Sequence, residues 1–302
     1  MDSMTFELGR KGLYFSREYL TEWHRRQMDA WPEAAAAFHA LGEIRTRAVD
    51  VDGFTFMLQH NPARVRSTAA RVDAASLASR PCFLCGGNRK PEQTSQRFDV
   101  GREFELLVNP FPIFPLHFTL PSVRHEPQSI TAKGSPTIVE MLLMARRMPG
   151  MAVFYNGPHC GASAPDHMHF QAVEAERLPL VRAVEDNPQS VPFEVRYIMS
   201  DNASDALAEF ASIVAELAGR PENKGEDEPR MNIIATYADG EYRAIVIPRR
   251  AHRPDFYGTG EGEHLLSPAS VDFGGVLVLP SERDFESVDA GVVKALIEQT
   301  AY

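Results

Sequence analysis

The sequence predicts an α+β fold, and three observations predict it. Residues 53–59 and 167–173 alternate apolar and polar side chains, which is typical of a strand with one buried face. Residues 135–147 carry apolar side chains at helical spacing. Hydrophobic residues make up 44% of the chain and charged residues 24%, close to globular averages. This composition excludes disordered, collagen-like and coiled-coil proteins.

The first part of the chain alternates helical and strand patterns. Apolar side chains at helical spacing predict helices over 19–30, 34–41 and 135–147. Alternation and short apolar runs predict strands over 53–59, 104–108, 117–120, 151–155 and 167–173. Residues 111–115, Phe-Pro-Ile-Phe-Pro, cannot form a regular helix, because proline lacks an amide donor and blocks the preceding turn.

A second set of elements follows residues 175–192, which are rich in Pro, Glu and Asn. The same patterns predict strands over 193–199, 231–237, 242–247 and 275–279, and helices over 204–218 and 289–299. The order of elements is loosely similar in the two parts, which indicates an old duplication. The predicted organisation is an N-terminal covering segment (1–50), a first half (51–180) and a second half (181–302).

Charge and targeting signals narrow the class of partner and the compartment. The chain carries 31 basic and 41 acidic residues and a net charge of −10, which argues against nucleic acid or an anionic membrane as partner. The N-terminus lacks the apolar core of a secretory signal, and no apolar run reaches the ~18 residues of a membrane span. We therefore expect a cytoplasmic protein. Three cysteines are too few for a disulfide framework.

The most informative segment is the predicted strand over 167–173. Residues two apart in a strand share a face, so His167, His169 and Gln171 lie on one face and Met168 and Phe170 on the other. One face packs on a core, and the other presents two imidazoles and an amide. A half-exposed strand with chance histidines is the plain alternative. Their register, directly after a Gly-Ala-Ser turn, argues against chance.

This His-Met-His-Phe-Gln segment resembles the His-x-His-x-Gln signature of the histidine-triad superfamily. The similarity is to its transferase branch, which holds galactose-1-phosphate uridylyltransferases, diadenosine tetraphosphate phosphorylases and GDP-hexose phosphorylases. Residues 109–112 (Asn-Pro-Phe-Pro), 120–125 and 161–163 resemble further family segments. The resemblance covers about 50–175, while 247–254 and 267–272 resemble the second half of such proteins less specifically. It implies a histidine-triad-like antiparallel sheet with helices, duplicated, with a catalytic first half and a degenerate second half.

The resemblance also implies a reaction. In this family the second histidine, here His169, attacks the α-phosphorus of a nucleotide, and a covalent nucleotidyl-histidine divides the transfer into two steps. The amide of Gln171 cannot deliver a proton as a general acid, so the leaving group should be a phosphate-type anion. This favours a nucleotidyltransferase or phosphorylase acting on a nucleoside-diphosphate sugar or a dinucleoside polyphosphate. The alternatives are a zinc-stabilised nucleotide-binding protein without turnover and a dinucleotide hydrolase.

Fixed donors are needed around the reacting phosphorus, where negative charge develops. Candidates for these donors come from the segments that resemble the family and from a basic cluster after residue 248. The alternative interpretation of the basic cluster is a solvated loop. The candidate substrate-binding residues are Asn109, Asn156, Gly161, Ala162, Ser163, Arg250, His252 and Arg253. The expected partners are a small-molecule nucleotide and a phosphate or sugar phosphate. The resemblance leaves the oligomeric state open, because uridylyltransferases form homodimers whereas some phosphorylase relatives act alone.

The Cys82-x-x-Cys85 pair by itself fits zinc, a redox pair or chance. No βαβ pattern surrounds it, which argues against a thioredoxin-type pair. The resemblance adds His125 and His167, because some relatives bind zinc with this Cys, Cys, His, His set. A closed Cys₂His₂ tetrahedron is a structural zinc site. His117 and Cys160 are interpreted as packing residues.

Overall fold

The computed structural model describes residues 14–64, 76–77, 79–135 and 137–302. The first thirteen residues of the predicted covering segment lie outside this range. The described residues form strands β1 (Arg45–Val51), β2 (Phe54–His60), β3 (Gln96–Asp99), β4 (Glu103–Val108), β5 (His117–Pro121), β6 (Met151–Asn156), β7 (His169–Glu174), β8 (Arg196–Ser200), β9 (Met231–Ala238), β10 (Glu241–Pro248) and β11 (Val276–Leu279). They also form helices α1 (Arg17–Ala30), α2 (Pro32–His39), α3 (Ile138–Arg147), α4 (Pro179–Asp186), α5 (Ala203–Ala218), α6 (Ser270–Phe273), α7 (Glu282–Ser287) and α8 (Ala290–Thr300).

Eight of these strands form one antiparallel sheet in the order β3-β4-β5-β7-β6-β9-β10-β8. The β6–β9 pair joins strands of the two predicted halves, with Val153 opposite Ala235 and Asn156 opposite Asn232. On either side of this pair the chain runs strand, helix, strand, strand: β5-α3-β6-β7 in one half and β8-α5-β9-β10 in the other. This repeated order supports the duplication, which stays a prediction.

One face of the large sheet is covered by α1, α3 and α5. Their apolar side chains pack on alternate residues of the strands, among them Phe118, Val153 and Phe170. The α3 helix begins after a capping box in which Thr137 and Glu140 satisfy each other's backbone donors. The packing of this core fixes the positions of the strands on the face that the three helices cover.

The other face is covered by a small three-stranded sheet, β1-β2-β11, and by α4 and α8. Phe54, Phe56 and Leu58 of β2 pack towards Phe154 and Val173 of the large sheet. Because side chains alternate along a strand, His169 and Gln171 lie on the same face of the large sheet as Val173. The space between the two sheets is therefore where the predicted site lies.

The α+β class is confirmed, and most predicted elements are present with boundaries shifted by one to three residues. The strand predicted over 167–173 is corrected: β7 begins at His169, and His167 lies in the preceding bend, where its amide donates to the Ala164 carbonyl. Strands β1 and β3 and helices α4, α6 and α7 were not predicted. None of the helices in the described part of the chain has the length and apolar character needed to cross a membrane.

Candidate active site

A cavity of about 1190 Å³ lies between the large sheet and its covering elements. Its floor is formed by successive strands of the large sheet, represented by Leu107, Thr119, Gln171 and Phe154. Neighbouring strands lie about 4.8 Å apart, so the floor extends over about 14 Å. His169 also lines this cavity.

His169 is the first residue of β7 and is only 4% exposed. Its Nδ1 lies 2.8 Å from the carbonyl oxygen of His167. Because a carbonyl oxygen only accepts, Nδ1 carries the proton and Nε2 keeps its lone pair. No hydrogen bond joins Nε2 to a described residue. Burial lowers the pKa of His169 to about 4, so the imidazole is neutral at neutral pH.

The Gln171 amide is fixed through its oxygen. The amide N–H of Ile113 donates to Nδ1 of the fully buried His117 (3.1 Å), so His117 carries its proton on Nε2. That Nε2–H donates to Oε1 of Gln171 at 2.9 Å. The Asn109 amide donates to the same oxygen at 3.2 Å, and its own oxygen accepts from the N–H of Phe111. Both hydrogen bonds are to the oxygen, so the NH₂ group of Gln171 stays available to donate to a molecule in the cavity.

Asn156, at the end of β6, is anchored in the same way. Its Oδ1 accepts from the backbone N–H of Ser270 (2.9 Å), from the Ser270 hydroxyl (2.7 Å) and from the Asn232 amide (3.1 Å). Its side-chain NH₂ makes no hydrogen bond to a described residue, and Asn156 lines the cavity. Two strands therefore present amide donors on the side of the sheet that carries the neutral imidazole.

The Gly161-Ala162-Ser163 turn lies on the cavity wall. Gly161 has a φ of +94°, a left-handed conformation that favours glycine. A Cβ at this position would lie 2.6 Å from the Cβ of Ala269, so the turn packs closely against the second half. The three residues that the sequence proposes for substrate binding therefore all line the cavity.

The basic cluster divides into two parts. His252 and Arg253 line the cavity, and the Arg253 Nε donates to the Ser267 hydroxyl at 2.9 Å. No described carboxylate forms an ion pair with Arg253. Arg250 does not line the cavity: it donates to the Ala301 carbonyl and its guanidinium stacks 4.4 Å from the Tyr302 ring. Burial, together with the charge of Arg253, lowers the pKa of His252 to about 4.

The cavity wall also includes residues that the sequence did not single out. Arg64 donates to the Phe111 carbonyl, and burial lowers the pKa of its guanidinium to about 10. In another part of the wall, the buried Trp31 indole N–H and the Arg89 Nη1 have no partner among the described residues. A bound molecule with hydrogen-bond acceptors would satisfy such donors. Arg64 lies in a polar stretch without periodic pattern, so sequence reasoning had no signal for it.

Cys82, Cys85, His125 and His167 come together in one cluster, and their ligand atoms all lie within 4.8 Å of one another. His167 Nδ1 lies 3.2 Å from the Cys82 sulfur and 3.3 Å from His125 Nδ1, and the Cys85 sulfur lies 3.3 Å from His125 Nδ1. These separations match the edges of a tetrahedron with metal–ligand distances of about 2.0–2.3 Å. The four residues could therefore hold a metal ion.

A hydrogen bond orients one of these ligands for metal binding. Nε2 of His167 lies 2.8 Å from the Ser122 carbonyl, so this nitrogen carries the proton and Nδ1 offers its lone pair to the cluster. The carbonyl of the same His167 accepts from His169 Nδ1. The cluster and the cavity histidine are therefore linked through one residue.

The chain was compared with known families, curated proteins and solved structures. A family model described as "Domain of unknown function (DUF4922)" matches residues 23–174. No curated protein matches the chain. The structure of yeast Ap4A phosphorylase Apa2 is similar over 91% of this chain and 97% of the yeast chain, with a TM-score of 0.59 and 16% identity. The complex of the yeast enzyme with Ap4A gives the same values, and its complex with AMP has a TM-score of 0.55.

Proposed function

This chain belongs to the DUF4922 family, and because it also has the fold of a dinucleotide phosphorylase, we propose that it is a nucleotidyltransferase of the phosphorylase type. The observation that carries the proposal is His169: a buried, neutral imidazole whose Nε2 lone pair has no partner among the described residues and whose side chain lines a large cavity. A neutral imidazole is a competent nucleophile towards phosphorus. The proposed substrate is a dinucleoside polyphosphate or a nucleoside-diphosphate sugar.

The reaction proceeds in two steps. His169 Nε2 attacks the α-phosphorus, an N–P bond forms, and the P–O bond to the leaving nucleotide or sugar phosphate breaks. The leaving oxygen departs with the electron pair as a phosphate-type anion. The imidazole ring becomes positively charged, and its Nδ1–H stays bonded to the His167 carbonyl. In the second step an oxygen of inorganic phosphate or a sugar phosphate attacks the phosphorus, and the neutral imidazole is regenerated.

The amides on either side of His169 are placed to bind the phosphoryl oxygens. The NH₂ groups of Gln171 and Asn156 donate to the charge that develops in the transition state. Removal of one such donor costs a factor of about 10²–10³ in rate. Arg253 and Arg64 supply positive charge to the remaining phosphates. The unpartnered Trp31 and Arg89 donors fit acceptor groups of a base or sugar.

The proposal extends to a zinc ion held by Cys82, Cys85, His125 and His167. Two thiolates and two imidazoles are the donor set that zinc prefers, and four protein ligands leave no open position, as in structural sites. Bound there, zinc would tie the Cys82–Cys85 turn to the segment before β7. It takes no part in the chemical steps.

Incubation of the purified protein with dinucleoside polyphosphates and nucleotide sugars, without acceptor phosphate, tests the proposal. Mass spectrometry should find one nucleoside monophosphate adduct on His169, and added phosphate should release it as nucleoside diphosphate. His169→Ala should form no adduct, whereas His39→Ala, an exposed histidine on α2, should behave as wild type. Tight nucleotide binding without adduct or product would instead favour the nucleotide-binding protein.

A hydrolase is disfavoured by the Gln171 geometry. Its oxygen is held by His117 and Asn109, so only amide N–H groups face the cavity, and an amide N–H cannot take the proton of an attacking water. Release of nucleoside monophosphate by water, at a rate independent of added phosphate, would support the hydrolase instead.

A further inference from the structure

The two strands that carry Asn156 and His169 separate at the cavity. The β6–β7 ladder pairs Met151 with Glu174 and continues to Phe154 opposite Gln171. Continued in the same register, the ladder would bring Asn156 opposite His169. The pairing ends before this position, although β6 runs on to Asn156 and β7 begins at His169.

A side-chain amide occupies the gap. Gln128 Nε2 donates to the carbonyl oxygens of Asn156 and His169, both at 3.0 Å, and its Oε1 accepts from the backbone N–H of His169 at 2.8 Å. Gln128 is 1% exposed. A primary amide offers the same donor and acceptor types as a peptide group, so it satisfies the backbone groups that the interrupted ladder leaves unpaired.

The insertion widens the sheet at one point. Directly opposite residues of a paired antiparallel ladder have Cβ atoms about 4.5–5.5 Å apart. At the gap, two hydrogen bonds and a nitrogen atom separate the carbonyl oxygens of Asn156 and His169, so the two residues are held farther apart than ladder partners. A tetrahedral phosphoryl group between an imidazole nitrogen and an amide donor needs this extra width, since attack requires about 3–3.5 Å between nitrogen and phosphorus.

The amide is itself anchored. The backbone N–H of Gln128 donates to the Pro165 carbonyl (3.0 Å), and the Met168 N–H donates to the Glu126 carbonyl (2.7 Å). The segment that carries Gln128 therefore runs beside the segment that leads into His169. The backbone that carries the Gln128 side chain is therefore held beside the gap.

We propose that Gln128 is a positioning residue: its amide, inserted between β6 and β7, holds the His169 nucleophile and the Asn156 donor at the separation that a phosphoryl group requires. This inference rests on the proposed function, because it assigns Gln128 to the same reaction. It predicts an effect on the rate of the chemical step rather than on nucleotide binding.

The test compares Gln128→Met with Gln27→Met. Gln27 is a matched control: it is 2% exposed and its amide also bridges backbone and side-chain groups, those of Glu92 and Thr94, but on α1 and outside the cavity wall. Both variants lose a buried amide and should lose similar thermal stability. Single-turnover formation of the His169 adduct should fall about 100-fold at saturating substrate in Gln128→Met, the effect of a misplacement of about 1 Å. KM should change by no more than a few-fold, and Gln27→Met should keep the wild-type rate.

Gln128→Asn is the second variant, in case Gln128→Met does not fold. Its amide is one methylene shorter and reaches only one strand, so the adduct should form at an intermediate rate. Adduct formation at the wild-type rate in folded Gln128→Met, or in Gln128→Asn when the former is not obtained, would overturn the inference and leave the proposed function intact. Absence of any adduct in the wild type would instead overturn the proposed function, and this inference with it.

Discussion

His117 holds Gln171 in place, and its replacement by phenylalanine has a calculable effect on stability. The substitution keeps a ring of similar size at a fully buried position. The Ile113 N–H loses its acceptor, and Gln171 Oε1 loses its donor at 2.9 Å but keeps Asn109. A buried group left unsatisfied costs about 1–3 kcal/mol, so His117→Phe should lower the free energy of unfolding by about 2 kcal/mol at pH 7.5.

The loss should depend on pH. Burial, with a contribution from the facing Arg64 charge, lowers the pKa of His117 to about 3 in the folded chain. In the unfolded chain its pKa is about 6.5. Below pH 6.5 the unfolded chain therefore binds a proton that the folded chain does not, and the wild type loses stability as pH falls towards 3. At about 1.4 kcal/mol per pH unit, this loss reaches about 2 kcal/mol at pH 5.

The phenylalanine variant has no such proton to bind. The stability difference between wild type and His117→Phe should thus shrink from about 2 kcal/mol at pH 7.5 to nearly zero at pH 5. Urea unfolding at both pH values measures it. Phe118→Leu, a fully buried neighbour without a titratable group, should give a difference that is the same at both pH values. A pH-independent difference for His117→Phe as well would refute the reasoning.

Three further predictions concern the metal cluster and the cavity. Elemental analysis should find about one zinc per chain in the wild type and in Cys160→Ser but little in Cys82→Ser. If the purified wild-type protein contained no zinc, the predicted zinc site would be wrong. Arg253→Met should raise KM for the nucleotide about 10-fold or more, because a charge-assisted hydrogen bond contributes about 1.5–3 kcal/mol, whereas Arg250→Met should not; equal effects would contradict the placement of the two arginines. Gln171→His should raise the ratio of hydrolysis to phosphorolysis, measured by product analysis, and an unchanged ratio would argue against the account of the amide.

The sequence predicted the elements whose pattern is strong. The strand over 151–155 is apolar throughout, and the strand over 231–237 is apolar except for Asn232 and Thr236. Both lie near the centre of the large sheet and are buried on both faces along most of their length. Strand β1 was missed because it lies at an edge of the small sheet and most of its residues are polar and at least partly exposed. Cys82 and Cys85 were found from their spacing, and His125 and His167 through the resemblance. The structure brings the four residues together.

The first residue of β7 could not be read from alternation alone. The alternating pattern begins at His167, directly after the turn at Pro165-Asp166, so it assigned His167 to the strand. In the structure it turns towards Cys82, while His169 faces the cavity.

The parts of the site that were missed depend on contacts between distant residues. Arg64 contacts the Phe111 carbonyl 47 positions away, and Gln128 contacts His169 41 positions away. His117 was interpreted as a packing residue, because its hydrogen bonds to the Ile113 backbone and to Gln171 are visible only in the structure. Neither periodicity nor spacing reports such contacts. The roles of the site residues, the domain boundaries and a cytoplasmic location stay predictions.

The junction of β6 with β9 has a consequence for how such a chain can diverge. A fragment ending after β7 would leave the N–H and C=O groups along one side of β6 open, and an open edge of this kind invites pairing with other molecules. The later strands shield that edge whatever side chains they carry. The second half can therefore lose every reactive group and still be retained, as a permanent partner that keeps the first half from aggregating.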